Sequence, residues 1–356
     1  MSRETEPEPK PSAPLANLKQ PRKGTSGRAG TGVGASGGGY GLTRMRFQNA
    51  GPARLILSVL LVAMTALLLA CGAEPSTEHA PATAVRIDSA GRSVAVPVNP
   101  QRIVSLAPSA SELIFALGGQ DLVIAVDDYS PLPPSRPDLP RVGAFTLDYE
   151  LITALSPDLV IGANITPLEQ IDRIADLGIP VWIVDSTTIA GIAPALAKLA
   201  AAIGRTEAVA PLTADLARRL EQVSAAVDAQ SERPGVYWEL DATDPTRPFA
   251  AGPGSLADEI ITLAGGRNVL ADIGEPYPQV SLEAIVARDP AVIVLANAPW
   301  GVDRQSLAQR PAWAGLSALT DDRVIELSPQ LADAGARATP AVFDLIEYLQ
   351  PRFASD

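Results

Sequence analysis

The chain holds one cysteine and one histidine in 356 residues. With Cys71 alone, no internal disulfide can form, so stability must come from packing. With His79 alone, a Ser-His-Asp triad or a histidine-based metal cluster lacks its material. HExxH does not occur, and the single GxSxG match, Gly34 to Gly38, falls in a glycine-rich run with no strand before it. No catalytic residue, resident metal or cofactor is therefore expected. Basic residues are scarce too. The first 70 positions hold nine of the 28 lysines and arginines and three of the 40 acids, so residues 71–356 carry 19 against 37, a net charge of −18. Nucleic acid is a poor partner for that balance, because phosphate binding needs clustered Lys and Arg. Self-repulsion keeps such a protein soluble and monomeric. Aromatic residues are only 4% of the chain, so where they fall is informative.

The apolar run Leu55–Ala70 is shorter than the ~20 residues a membrane-spanning helix usually needs. Arg46 and Arg54 precede it, it closes on Leu67-Leu-Leu-Ala-Cys71, and Gly72, Ala73, Glu74 and Pro75 follow. That order is the layout of a bacterial lipoprotein signal, which predicts a signal peptide over 45–70 and lipid on Cys71. A diacylglyceryl group plus an amine-linked acyl chain would give the two signals that stable anchoring takes. A buried core helix with an incidental cysteine fits less well, because both flanks are polar. Residues 1–44 are rich in Gly, Pro, Ser and Lys without hydrophobic period, and read as disorder. Gly32, Gly34 and Gly37 match GxGxxG, but no strand precedes them and Gly38 and Gly39 continue the run. Export signals sit at the extreme N-terminus, so translation is expected to start at Met45. Residues 71–83 form a polar tether, and the mature protein is expected to be extracytoplasmic and lipid-anchored.

From residue 84 a rhythm sets in. AVRIDSAGRSVAVPV (84–98) alternates around Ala90-Gly91, which predicts a β-hairpin. Strands are expected at 103–108, 122–126, 158–163 and 181–185. Helices are expected at 109–119, N-capped by Ser109, and at 149–155 and 167–178. A long helical stretch covers 189–231, broken near Gly204 and Pro211. Strands then return at 235–240, 291–297 and 323–327, with helices at 255–266, 281–289 and 339–350. Continuous apolar strands separated by helices indicate α/β architecture with parallel sheets covered on both faces. Two segments echo each other. Glu150 precedes Pro157 by seven positions and a strand follows; Glu283 precedes Pro290 by seven and a strand follows. Asp148 and Ser281 each stand two residues before the glutamate. The reading is two similar lobes, 84–204 and 234–356, joined by one long interdomain helix within 205–233, although any helix–turn–strand unit tends toward such a pattern.

RIVSLAPSASELIFALG (102–118), ELITALSPDLVIG (150–162), LGIPVWIVD (177–185), AGGRNVLAD (264–272), PYPQVSLEAI (276–285) and RDPAVIVL (288–295) together resemble a known family. The chain is similar, over about 84–352, to class III substrate-binding proteins of ABC importers, which bind cobalamin and iron–siderophore complexes. The PQVSLE segment is most like the cobalamin branch. The resemblance implies ligand between two lobes, a permease dimer with its ATPase as partner, and small hinge motion about a stiff connector.

Glu150 and Glu283 match that family's docking glutamates, which meet arginine pockets on the permease. A carboxylate accepts a bidentate arginine fork, and two such points fix orientation. Alone, either would only complement a helix dipole, an effect of ~0.3–1 kcal/mol. Ligand contacts are expected from loops at strand C-terminal ends: Ser109, Tyr129, Phe145, Asn164, Trp238, Glu239, Tyr277, Trp300 and Arg337. Tyr129, Phe145 and Tyr277 fall where cobalamin binders place aromatics, and flat faces suit a corrin. Ala163 stands where those binders carry an aromatic. Glu239, Asp241 and Asp244 would favour a cationic ligand at the mouth, and Arg337 would pair with an anionic group. Trp182 reads as core, and Trp313 as core or a helix cap. Cobalamin leads a siderophore narrowly, with haem third. The competing readings are a chelatase-like two-lobed metalloenzyme and a signalling lipoprotein that has lost transport.

Overall fold

A computed structural model describes residues 82–230 and 232–354. Cys71, His79, the signal segment and the 1–44 extension lie outside the described residues. The chain opens on an antiparallel hairpin, β1 (Thr83–Ile87) and β2 (Ser93–Pro97), turning through Gly91 at φ +78°. Two parallel sheets follow. The first holds β3 (Ile103–Ser105), β4 (Val123–Val126), β5 (Leu159–Ala163) and β6 (Val181–Val184) in the order β4-β3-β5-β6. Its crossovers are α1 (Pro108–Ala116), α2 (Tyr149–Ala154) and α3 (Leu168–Asp176).

The second sheet holds β7 (Gly235–Asp241), β8 (Phe249–Ala250), β9 (Arg267–Asn268), β10 (Val292–Leu295) and β11 (Val324–Glu326). Along its parallel pairings the order is β9-β7-β10-β11, with β8 antiparallel to β7. The two lobes thus repeat one topology: the second strand lies outside the first, and the third and fourth extend the other edge. Helices α6 (Leu256–Leu263) and α7 (Leu282–Arg288) fill the first two crossovers, and the short α8 (Arg304–Ala308) and α9 (Ser317–Thr320) the third. The chain ends in α10 (Pro329–Ala336) and α11 (Val342–Phe353).

Between the lobes run α4 (Ile192–Ile203) and α5 (Val209–Asp228). Gly204, at φ +71°, ends α4 in the left-handed conformation that helix stops favour. Pro211 breaks nothing, contrary to expectation. It falls in the first turn of α5, where a missing N–H leaves no intrahelical bond unmade. Ser109 is not a cap either; Ala107 holds the N-cap position of α1 and Pro108 opens the helix.

The matched glutamate segments are equivalent in detail. Asp148 caps α2 by accepting the Leu151 N–H at 2.9 Å, and Ser281 caps α7 by accepting the Ala284 N–H at 3.3 Å. After each helix, the residue directly before a proline is a non-glycine at positive φ: Ser156 at 46° and Asp289 at 39°. Hydrogen bonds from the Ser317 N–H and hydroxyl hold the Asp289 carboxyl below the ordinary aspartate value.

Alternate strand residues face opposite layers. Val104, Val160 and Ile183 pack outward under α2 and α3, and Tyr237, Ile293 and Leu295 pack outward under α7 to α9. The inward set, including Ile103, Ile161, Trp182, Val236, Trp238 and Val294, belongs to one continuous buried cluster. That cluster also takes in Leu196, Leu199, Val223, Ile260 and Phe343 from the helices between the sheets. One apolar core therefore serves both lobes.

Candidate functional site

In parallel α/β sheets, loops beyond the strand C-termini are free to bind because no crossover helix covers them. On the first lobe that edge carries Tyr129 after β4, Phe145 in the loop before α2, and Asn164 directly after β5. All three side chains are exposed. Tyr129 and Phe145 meet edge to face with ring centroids 5.9 Å apart. Phe145 is 87% exposed, which an isolated apolar ring would not favour in water. On the second lobe the same edge carries Tyr277 and Trp300, both exposed. Trp300 stands in the turn 298–300 after β10. Tyr277 belongs to a loop held beside β8 by the Gly252 N–H bonding Pro276 O at 2.9 Å and the Ala250 N–H bonding Pro278 O at 3.0 Å.

Beneath Tyr129 lies a buried polar chain that the sequence reading missed. The Ser111 hydroxyl lies 2.8 Å from that of Ser105 and 2.7 Å from that of Ser130, to which it donates. Ser130 donates to Asp127, which also accepts the Tyr129 N–H at 3.0 Å. Arg141 binds the carbonyls of Asp127 and Ser130. Of the groups that fix the loop presenting Tyr129, Ser105, Ser111, Asp127 and Ser130 have little or no exposure. Ile165 and Leu168 were missed as well; both are over 70% exposed beside Asn164. The α3 residue Gln170 binds the Phe145 carbonyl at 3.1 Å, which brings that helix to the same rim. An apolar residue in the turn between Asn164 and Thr166 is the signal that could have found Ile165.

Two expected contacts need correction. Trp238 is buried in the inner core, because its parity in β7 points it at Gly335 and away from the mouth. Glu239 faces the opposite layer and is completely buried. It accepts from Arg310 at 2.6 and 2.8 Å, from Asn297 at 3.0 Å and from Tyr237 at 3.1 Å. Burial, then the Glu239 charge, push the Tyr237 phenol well above its ordinary value. Arg310 also lies over Trp313, 4.6 Å from the ring centre. The acid is therefore neutralised inside the lobe and offers nothing to a cation. Arg337 is engaged by Glu112 and, at 3.0 Å, by Asp333, which offset its charge at the lobe junction. Trp182 and Trp313 are both core residues.

The rims adjoin where the lobes touch. Glu112 of α1 binds Arg337 and accepts the Thr339 hydroxyl at 2.7 Å. Ser186, just past β6, donates to the Ala338 carbonyl at 2.7 Å, and the Ile189 N–H donates to Glu259 at 2.8 Å. Glu150 and Glu283 lie elsewhere, each the second residue of its helix and each exposed. Glu150 borders a shallow hollow with Tyr149, Thr153, Arg173 and Leu177. Among the described residues, no group of three His, Cys, Asp or Glu side chains could hold a metal ion. No described helix is long and apolar enough to cross a membrane.

Residues 103–331 match the family model described as periplasmic binding protein. A cobalamin-binding protein of Halobacterium salinarum is 31% identical over 255 residues, covering 68% of each chain. A vitamin B12-binding protein of Yersinia pestis is 34% identical over 236 residues, covering 65% of this chain and 82% of its own. Among solved structures, the periplasmic vitamin B12 binding protein of Vibrio cholerae matches with TM-score 0.60 and 28% identity, over 72% of this chain and 98% of that one. A periplasmic heme-binding protein from a Roseiflexus species matches with TM-score 0.61 and 27% identity, over 71% and 98%. A duplicated parallel topology and this range of matches lead to one assignment: the chain belongs to the periplasmic binding protein family and is a substrate-binding protein, not an enzyme.

Proposed function

We propose that this protein captures a corrinoid such as cobalamin between its lobes, outside the cytoplasm, and delivers it to an ABC import permease. The observation that carries the ligand class is the set of exposed aromatic rings at the strand C-termini of both lobes: Tyr129 with Phe145 on one, Tyr277 and Trp300 on the other. Flat apolar faces suit a large macrocycle. The pairing of Arg337 with Glu112 and Asp333 offsets the charge that would favour an anionic siderophore or a carboxylate-bearing porphyrin. The cobalamin and vitamin B12 binders among the relatives support the same choice. Lipid on Cys71 would hold the protein at the membrane, with Glu150 and Glu283 docking the permease dimer, and a monomer suffices for both.

Intrinsic fluorescence titrated with cyanocobalamin, hemin and a panel of ferric siderophores tests the reading. Saturable quenching by cyanocobalamin at the lowest concentrations is expected. Phe145→Ala should weaken it about tenfold, the loss of roughly 1.4 kcal/mol of contact. Tighter binding of hemin or a siderophore would replace the proposed ligand.

A further inference from the structure

We propose that Glu112 is the positioning residue that sets the gap between the two ligand-gripping rims; the proposal rests on the reading of this junction as the ligand cleft. Glu112 belongs to the first lobe, on the helix that follows β3, and both its oxygens are spent on the second lobe. One binds the Arg337 guanidinium and the other accepts the Thr339 hydroxyl at 2.7 Å. The pair is mostly shielded, with side chains 19% and 15% exposed. Charge-assisted bonds of this kind are stronger and more directional than neutral ones, and losing one partner strands a partly buried charge.

The pair is also wired to both rims. Ser111, the neighbour of Glu112, holds Ser130 and through it the loop carrying Tyr129. Arg337 caps α10, and α10 packs on the 298–300 turn that carries Trp300. A shift of either lobe relative to this pin therefore moves an aromatic ring on each side. The Ser186 to Ala338 and Ile189 to Glu259 bonds lie close by, but each ends on a backbone group and neither is an ion pair. Glu112 is the contact with side chains and opposite charge at both ends, and so fixes separation most sharply.

The test measures separation and binding in the same protein. Nitroxides are placed at Asp172→Cys and Asp321→Cys, exposed positions on opposite lobes, in a chain with Cys71→Ser. Pulsed electron resonance then reads the interlobe distance distribution. The parent should give a narrow distribution and Glu112→Ala a broad one, with cyanocobalamin affinity lowered at least tenfold. Glu112→Gln retains the shape and an acceptor for Thr339, and should fall between the two even where the alanine variant folds poorly. A Glu112→Ala or Glu112→Gln distribution as narrow as the parent's would overturn the proposal whatever the ligand. Failure of the parent itself to bind cyanocobalamin would instead strike the ligand assignment, leaving the distance result to judge Glu112.

Discussion

Arg310 and Glu239 neutralise each other inside the second lobe, with almost no exposure on either side chain. Such a pair is poor evidence of net stability, but breaking it leaves one charge stranded. Arg310→Met should destabilise folding by about 3–5 kcal/mol in urea titration, while ligand affinity stays within about threefold of the parent. Glu239→Gln combined with Arg310→Met should recover part of the loss. A large drop in affinity without loss of stability would return Glu239 to the cleft. The residue scale is also where sequence reading reached its limit. The exposure of Tyr129, Phe145, Tyr277 and Trp300 agrees with the place beyond strand ends at which the sequence puts them. Trp238 and Glu239 lie beside a strand end too, yet β7 runs through to Asp241, and a single step of parity decides which layer each enters. Nothing local announces that Arg310 waits 71 positions downstream.

At the scale of elements, the repeat was legible because it has a mechanical cause. Asp148 and Ser281 each satisfy an orphan N–H, and Ser156 and Asp289 each turn the chain into a proline. The equal spacing from glutamate to proline spans a helix of six residues in one lobe and seven in the other, with the turn that follows making up the difference. Irregular pieces were not legible: β8, β9, α8 and α9 are two to five residues long, too short for any period to show. The closing helix runs Val342–Phe353 rather than 339–350, with Pro351 inside its final turn. Equivalent placement of Glu150 and Glu283 at the second position of α2 and α7 argues for a shared duty beyond the helix dipole. Glu150→Arg with Glu283→Arg should leave cyanocobalamin affinity unchanged and abolish permease-dependent uptake in cells. Unchanged uptake would reduce both residues to helix-end charges.

Across the whole molecule, the inner faces of both sheets and α4, α5, α6 and α11 share one core. Arg219 of α5 adds bonds to Asp344 at 2.6 Å and Glu347 at 2.8 Å, so the connector is fastened to the second lobe along its length. Calorimetry of residues 82–356 should show a single endotherm whose calorimetric and van't Hoff enthalpies agree. Two resolved transitions would mean that the lobes unfold separately. Two lobes were legible from the rhythm of strands and helices; their common interior was not, because apolar strands look the same whichever partner covers them. That interior has a practical consequence: cutting the chain between the repeats, at 229–234, should leave each half with part of its apolar interior uncovered and prone to aggregate when expressed alone.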